Sequence, residues 1–300
     1  MPSDCLRGMS VRSEGPTDAG HHPLRGGASG DSRHLAECWR DRGVGSHDGL
    51  PHEGHKALVR EAATHADRCV VSIFVNPLQF GAGEDFEAYP RSLVADEEFL
   101  ADTLVDLIFA PSAEVIYPEG PEEAPTLSAG GVGDTFEGAS RPGHFDGVLT
   151  VVKRLFDYVS PDVAVFGLKD AQQVFVVGQM VDTLGLPLRV VEVDTVRDTD
   201  GLALSSRNAH LSDTERVYAR EISRALDEAE NTSSAREALE VARGILDAAP
   251  GVVVDYVDVV DPQTFRSRAD GGEGLDGRLI IAATVGGVRL IDNRLLRFGQ

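Results

Sequence analysis

The chain has 300 residues, enough for two domains, and sets 49 Asp and Glu against 28 Lys and Arg, a formal charge of −21. That balance argues against a nucleic-acid surface. No run of about 18 apolar residues suggests a membrane span, and the polar, glycine-rich start has no apolar segment of a secretory signal. Cys5, Cys38 and Cys69 are scattered, with no CxxC pair, which points to a reducing cytoplasm.

Residues 1–33 have little apolar content and no period, so they are predicted to be disordered. "HLAECWRDRG" is predicted as one short helix. "CVVSIFV", 69–75, is a continuous β-branched run, the pattern of a strand buried on both faces. "SLVADEEFLADTL" reads as a helix with Ser92 as N-cap. "DLIFA" reads as a strand, "PEGPEEAPTLSAGGVGD" (118–134) as a surface loop, and "FDGVLTVVKRLFDYV" as an amphipathic helix. "DVAVF" follows as a strand, "AQQVFVVGQMVDTLG" as a helix ending at Gly185, and "LRVVEV" as a strand. This alternation predicts a parallel α/β sheet with crossover helices. From about 196 the pattern changes to two helices, near 212–229 and 234–248, then three sequential strands, "VVVDYVDVV", "RLIIAATV" and "VRLIDNRL". The expected organisation is a disordered segment 1–33, an α/β domain 34–195 and a smaller α+β domain 196–300.

Open α/β sheets bind ligands beyond the carboxyl ends of their strands. Asn76, Pro77 and Gln79 follow one predicted strand. Gly167, Lys169 and Asp170 follow another and open a helix bearing Gln172 and Gln173. "LSSRN", 204–208, follows a fourth strand. Taken singly, Asn-Pro is a turn, Lys-Asp a solvated pair and Ser-Ser-Arg-Asn a loop; their coincidence at strand ends raises the functional reading. Lysine occurs only at Lys56, Lys153 and Lys169, so each is conspicuous in an acidic chain. "HEGH", 52–55, opens the first long helix. It is not the H-E-x-x-H of zinc proteases, although a metal and a surface role stay open. "GVGSHDG" lacks the spacing and the preceding strand of a dinucleotide fingerprint. A phosphate role fits better: glycine allows close backbone approach, and a helix start offers N–H donors.

Together, "HEGHKALV", "VVSIFVNPLQFGAGEDFEAYPR", "FEGASRPGHFDGVLTVVKRLF", "PDVAVFGLKDAQQ" and "TVRDTDGLALSSRN" resemble, in order and spacing, the pantothenate synthetase (pantoate–β-alanine ligase) family from about residue 49 onward. The resemblance implies a Rossmann-like domain with a smaller α+β lid domain, as a homodimer. It implies condensation of pantoate with β-alanine through a pantoyl adenylate, with ATP as substrate and Mg2+ on its phosphates. No membrane or nucleic-acid partner is implied. His55 matches the motif histidine treated as proton donor, with His52 beside it on the phosphates, flanked by Gly49 and Gly54. Asn76, Gln79 and Gln173 match residues that hold pantoate and β-alanine. Gly167, Lys169 and Asp170 match an ATP-binding turn; Val196 lies against adenine; Leu204, Ser205, Ser206 and Arg207 match a loop closing over the triphosphate. Asp96 resembles a carboxylate near magnesium.

The chain departs from the family pattern just upstream. "SHDGLPHEGH" stands where the family reads P-T-M-G-A-L-H-E-G-H, and "CWRDRGVG" offers no four-residue apolar run. The family's central first strand is therefore expected to be missing or degraded. An alternative reading follows, of a homologue that binds ligand or partner without turnover. Leu168 replaces Glu or Gln, and Leu204 replaces Met; both are mild changes.

Overall fold

A computed structural model describes residues 9–11, 35–41, 52–79, 93–268 and 275–298. The chain divides into two compact units, one of residues 1–166 and 176–193, the other of 167–175 and 194–300.

The first unit and its border with the second contain β1 (Met9–Val11), β2 (Leu35–Asp41), α1 (Glu53–His65), β3 (Arg68–Phe74), α2 (Leu93–Leu100) and β4 (Leu107–Phe109). There follow α3 (Ala113–Ile116), α4 (Glu137–Ser140), α5 (His144–Val159), β5 (Val163–Gly167), α6 (Ala171–Leu184) and β6 (Arg189–Val193). The strands form one sheet in the order β1-β4-β3-β2-β5-β6. β2 runs parallel to β3 and to β5, and β3 parallel to β4, while β1 pairs antiparallel at the edge. Connections from β2 lead to β3 and β4 on one side, and β5 and β6 lie on the other. Order reverses beside β2, the place where open α/β sheets form a ligand crevice.

Two expectations fail here. Residues 35–41 are a strand, not a helix, and they fill the central position expected to be empty. Ala36 is in register with Cys69 on one side and Val163 on the other. A strand flanked on both sides by partners needs no long apolar run of its own to be specified, because context overrides local preference. Met9–Val11, in the segment predicted to be disordered, is the antiparallel edge strand. The remainder of 1–33, the altered turn with Gly49, and Ser92 lie outside the described residues.

β3 is buried from Cys69 to Phe74, as its continuous apolar pattern predicts. Its core joins Val59 and Ala62 of α1 with Val71, Ile73, Val163 and Val165. The stretch 118–134, expected to be a surface loop, is mostly exposed but contains short 3-10 turns at Pro121–Glu123 and Gly130–Asp134.

The second unit holds α7 (Asp213–Ala229), α8 (Ala235–Ala248) and an antiparallel sheet of β7 (Val252–Val260), β8 (Gly277–Val285) and β9 (Val288–Leu296). Both helices start on serine caps: Ser212 accepts from the Glu215 N–H and Ser234 from the Glu237 N–H, satisfying donors the helices cannot. Ile222, Leu226 and Leu246 of the helices pack with Leu279, Ile281 and Leu296 of the sheet.

Close approach fixes one feature near the crevice. After β3, Pro77–Gln79 forms a 3-10 turn, and a Cβ on Gly147 of α5 would lie 2.8 Å from the Leu78 carbonyl oxygen. Gly147→Ala is therefore predicted to destabilise the fold by about 1–3 kcal/mol, the usual cost of overpacking, read as a lower denaturation midpoint. An unchanged midpoint would show that the turn yields freely.

Candidate active site

The first unit's polar residues cluster at strand ends and helix starts. α1 begins at His52, whose backbone is extended and whose imidazole Nδ1 accepts from the Gly54 N–H at 3.2 Å. The His55 Nδ1 accepts from the His52 N–H at 3.1 Å. The pair works as a capping box built from histidines. The two ring centroids are 4.1 Å apart and inclined at 42°. The neutral form of each ring has one donor and one acceptor nitrogen. With Nδ1 accepting in both, Nε2 carries the proton in both, so the local fold selects the tautomer.

This geometry also accounts for the glycine between them. A Cβ at Gly54 would meet His52 Cε1 at 2.8 Å and Nδ1 at 2.9 Å. Only a residue without a side chain lets the His52 ring lie over the N–H that it caps. The spacing H-x-G-H is thus a statement about a helix start, with two Nε2–H donors as its product.

Asn76 follows β3 and is 1% exposed. Its Nδ2 donates to the Gly147 carbonyl at 3.1 Å, and its Oδ1 accepts from the Leu78 N–H at 3.2 Å and the Tyr117 hydroxyl at 2.7 Å. Burial pushes the Tyr117 phenol well above its ordinary range, so it remains a donor to Asn76. Asn76 thus ties the β3 turn to α5, and the turn carries Gln79, itself buried. Asp96 is 1% exposed in the first turn of α2.

In the second unit, Leu168–Asp170 forms a 3-10 turn after β5. Lys169 Nζ lies 3.8 Å from Asp170 Oδ1. Gln173 on α6 is half-buried, whereas its neighbour Gln172 is buried. Val196 and Leu204 are brought together: the Leu204 N–H donates to the Val196 carbonyl at 2.9 Å, and Arg197 pairs with Ala203 across the same hairpin. The turn of this hairpin uses Gly201 at φ +89°, a conformation that favours glycine. Ser205 then caps the 3-10 turn Ser206–His210 by accepting the Arg207 N–H. Asn208 holds the Ala203 carbonyl through Nδ2 at 2.9 Å, while its buried Oδ1 has no hydrogen-bond partner among the described residues. Lys169, Ser205, Arg207 and Asn208 line one small cavity of about 10 Å3, with Arg289 and Asp292, room for about one water. A half-enclosed group of basic side chains beside a capped turn is a fit for phosphate oxygens.

Sequence reasoning missed the supports of this group. Arg197 forks onto Asp292 at 2.6 and 3.0 Å and also reaches the Gly201 carbonyl. Arg216 of α7 reaches Asp198 at 2.6 Å and Asp200 at 2.8 Å, holding the hairpin from the other side. Nothing in a lone Asp or Arg of a strand or helix marks such pairing in advance. Among the described residues no group of three or more His, Cys, Asp or Glu could hold a metal, and no helix is long and apolar enough to cross a membrane.

Comparison with known proteins is consistent across sequence and structure. The family model described as pantoate-beta-alanine ligase matches residues 33–295, which takes in β2. The pantothenate synthetase of Leifsonia xyli subsp. xyli is 54% identical over 247 residues, 82% of this chain and 85% of that protein. That of Acidothermus cellulolyticus is 51% identical over 258 residues, covering 83% of each. A crystal structure of the Thermus thermophilus pantothenate synthetase matches with a TM-score of 0.78 and 44% identity, over 87% of this chain and 92% of that one. A Francisella tularensis pantoate-beta-alanine ligase, complexed with "Beta-gamma ATP" and β-alanine, matches with a TM-score of 0.69 and 30% identity, over 89% and 92%.

The histidine cap and the hairpin can each be tested. Gly54→Ala gains helix propensity, worth up to about 1 kcal/mol, but evicts the His52 ring. Thermal stability should therefore hold while the His52 Nδ1 15N resonance shifts as its hydrogen bond from the Gly54 N–H is lost; an unchanged spectrum would refute the cap. Asp198 is held below the usual carboxylate range by the Thr199 N–H and then by Arg216. A depressed carboxyl contributes stability that is complete above its unfolded value, about 3.9, and is lost as pH falls through the lower folded value. Between those limits the melting temperature of the wild type should fall more steeply with acidification than that of Asp198→Asn; parallel curves would remove the assignment.

Proposed function

The chain belongs to the pantoate-beta-alanine ligase family, and on that premise we propose the roles of its residues in the family's reaction. The protein is an ATP-dependent ligase that joins pantoate to β-alanine. In the first step a pantoate carboxylate oxygen attacks the α-phosphorus of ATP, and the bond to pyrophosphate breaks. In the second, the β-alanine amine attacks the acyl carbon of pantoyl adenylate; AMP leaves with the bonding pair, and the amine loses a proton. No enzyme nucleophile is needed, because the substrate supplies one. The protein's task is positioning and the stabilisation of charge on the transferring phosphorus and the leaving pyrophosphate.

The observation that carries the assignment is the His52–Gly54–His55 start of α1. In both imidazoles Nδ1 is occupied by a backbone N–H, which makes Nε2 the protonated nitrogen and the edge assigned to phosphate oxygens. His52 and His55 are accordingly assigned to the phosphates as hydrogen-bond donors, His55 at the position that the family resemblance gives to the proton donor. Lys169 supplies a point charge and Arg207 a planar fork; with Gly167, Asp170, Leu204, Ser205 and Ser206 they take the triphosphate, while Val196, whose carbonyl accepts the Leu204 N–H, lies against adenine. Gly49 belongs to the same group by its place in the motif. Gln79 and Gln173 hold pantoate and β-alanine. Asn76, whose amide is engaged by Gly147, Leu78 and Tyr117, supports Gln79 from beneath and is placed with them as the substrate-side asparagine.

Magnesium fits as a companion of ATP. This ion keeps several waters and uses one or two carboxylates plus substrate phosphates. A single buried carboxylate, Asp96, meets that requirement where a dedicated cluster would not be needed. The bound ion would neutralise phosphate charge. We further place the protein in the cytoplasm as a homodimer. Cys69 is buried and in no disulfide, which suits a reducing compartment, and the dimer follows the family.

The reading of a homologue without turnover rested on a degraded central strand and an altered turn before His52; β2 occupies the strand's place, and the turn lies outside the described residues. Pantoate-dependent ATP–pyrophosphate exchange tests the assignment. Lys169→Ala should slow exchange by about 10²–10³-fold, the usual effect of removing one preorganised donor, with the fold retained. Exchange at the wild-type rate would overturn the role given to Lys169.

A further inference from the structure

We infer that Asn293 of β9 is a positioning residue for Lys169, and that with its neighbour Asp292 it fixes the two loops of the second unit's phosphate group against each other. The inference rests on the assignment of Lys169 and Arg207 to ATP. Asn293 is 6% exposed. Its Nδ2 donates to the Leu168 carbonyl at 2.7 Å and to the Lys169 carbonyl at 3.1 Å. Its Oδ1 accepts from Arg278 Nη1 at 2.7 Å. The amide orientation is unambiguous, since two carbonyls demand the NH2 and a guanidinium demands the oxygen.

The side chain therefore grips the backbone of the turn that presents Lys169. Carboxylate at this position would set negative oxygen against two carbonyls. An aliphatic group would leave both carbonyls without this donor. Only an amide supplies two donors toward the turn and one acceptor toward Arg278.

Asp292 does the corresponding work on the other loop. It is 3% exposed. Its carboxylate holds Arg197, which in turn holds the Gly201 carbonyl at the tip of the Val196–Leu204 hairpin. It also accepts the Asn293 N–H at 2.8 Å, so the two supports are hydrogen-bonded to one another. Adjacent residues of one strand thus set where the Lys169 turn and the approach to Ser205–Arg207 lie, and Asp292 reaches the cavity that Lys169, Ser205 and Arg207 line.

A double-mutant cycle in ATP affinity tests this, with calorimetric Kd values for wild type, Asn293→Ala, Lys169→Ala and the double variant. Exchange kinetics are measured alongside. Asn293→Ala should weaken ATP binding about tenfold and slow exchange by up to about 10²-fold, the scale of a roughly 1 Å misplacement. In the Lys169→Ala background the same change should alter Kd less than about twofold, as coupled sites require. An equal loss in both backgrounds would show a structural role only and overturn the inference. If Lys169→Ala by itself leaves ATP binding and exchange intact, the assignment of Lys169 fails, a result distinct from the previous one. Should Asn293→Ala not fold, Arg278→Gln serves instead. It frees the amide from behind and should give a smaller loss of the same kind, again absent with Lys169→Ala; a background-independent loss counts against the inference.

Discussion

The hydrogen bonds that β2 makes on both of its edges are the constraint from which the first unit follows. A parallel sheet needs every interior strand, because a missing one leaves two rows of backbone donors and acceptors without partners. β2 supplies those partners to β3 and to β5. The reversal of strand order falls beside it, and with that reversal comes the opening in which strand ends and helix starts carry the chemistry. β3 ends at the Asn76 turn, and α1 starts at the histidines.

At those ends, the residues proposed for the chemistry also satisfy the backbone. A helix start has N–H groups without internal partners. Serine or aspartate is the common remedy, and α7 and α8 use serine. α1 uses two imidazoles. The substitution converts a cap into a chemical device, since satisfying the backbone with Nδ1 determines which nitrogen bears the remaining proton. Asn76 works in a similar double sense: it closes the turn after β3 and binds that turn to α5 and Tyr117. The group proposed for phosphate in the second unit is built differently, on a turn and a hairpin held by Arg216, Arg197, Asp292 and Asn293. Its stability therefore depends on ionised carboxylates to a degree that the first unit's site does not show.

How far this was legible varied with the kind of signal. Long periodic segments such as 145–159 and 213–229 read directly as helices, and the apolar run 69–75 as a buried strand, because burial imprints its period on the sequence. Residues 35–41 misled because their strand is specified by flanking strands and not by their own composition. The residues proposed for the phosphates were singled out by the coincidence of motifs at strand ends, and the family model matches the chain from residue 33 onward. Asp292 and Asn293 were passed over inside "VRLIDNRL", read only as a strand. A polar pair in a late strand has no distinctive spacing; Asn293 finds its meaning in carbonyls more than 120 positions earlier in the chain, and Asp292 in Arg197, 95 positions earlier.

That separation gives the protein an order of assembly. During synthesis the Lys169 turn and the Arg207 loop leave the ribosome well before β9 exists. Until the last strand has been made and docked, both loops are present without the side chains that set their spacing. A nascent chain thus carries the Lys169 turn and the Arg207 loop before it carries their frame. The final strand closes contacts that two loops made much earlier have waited for.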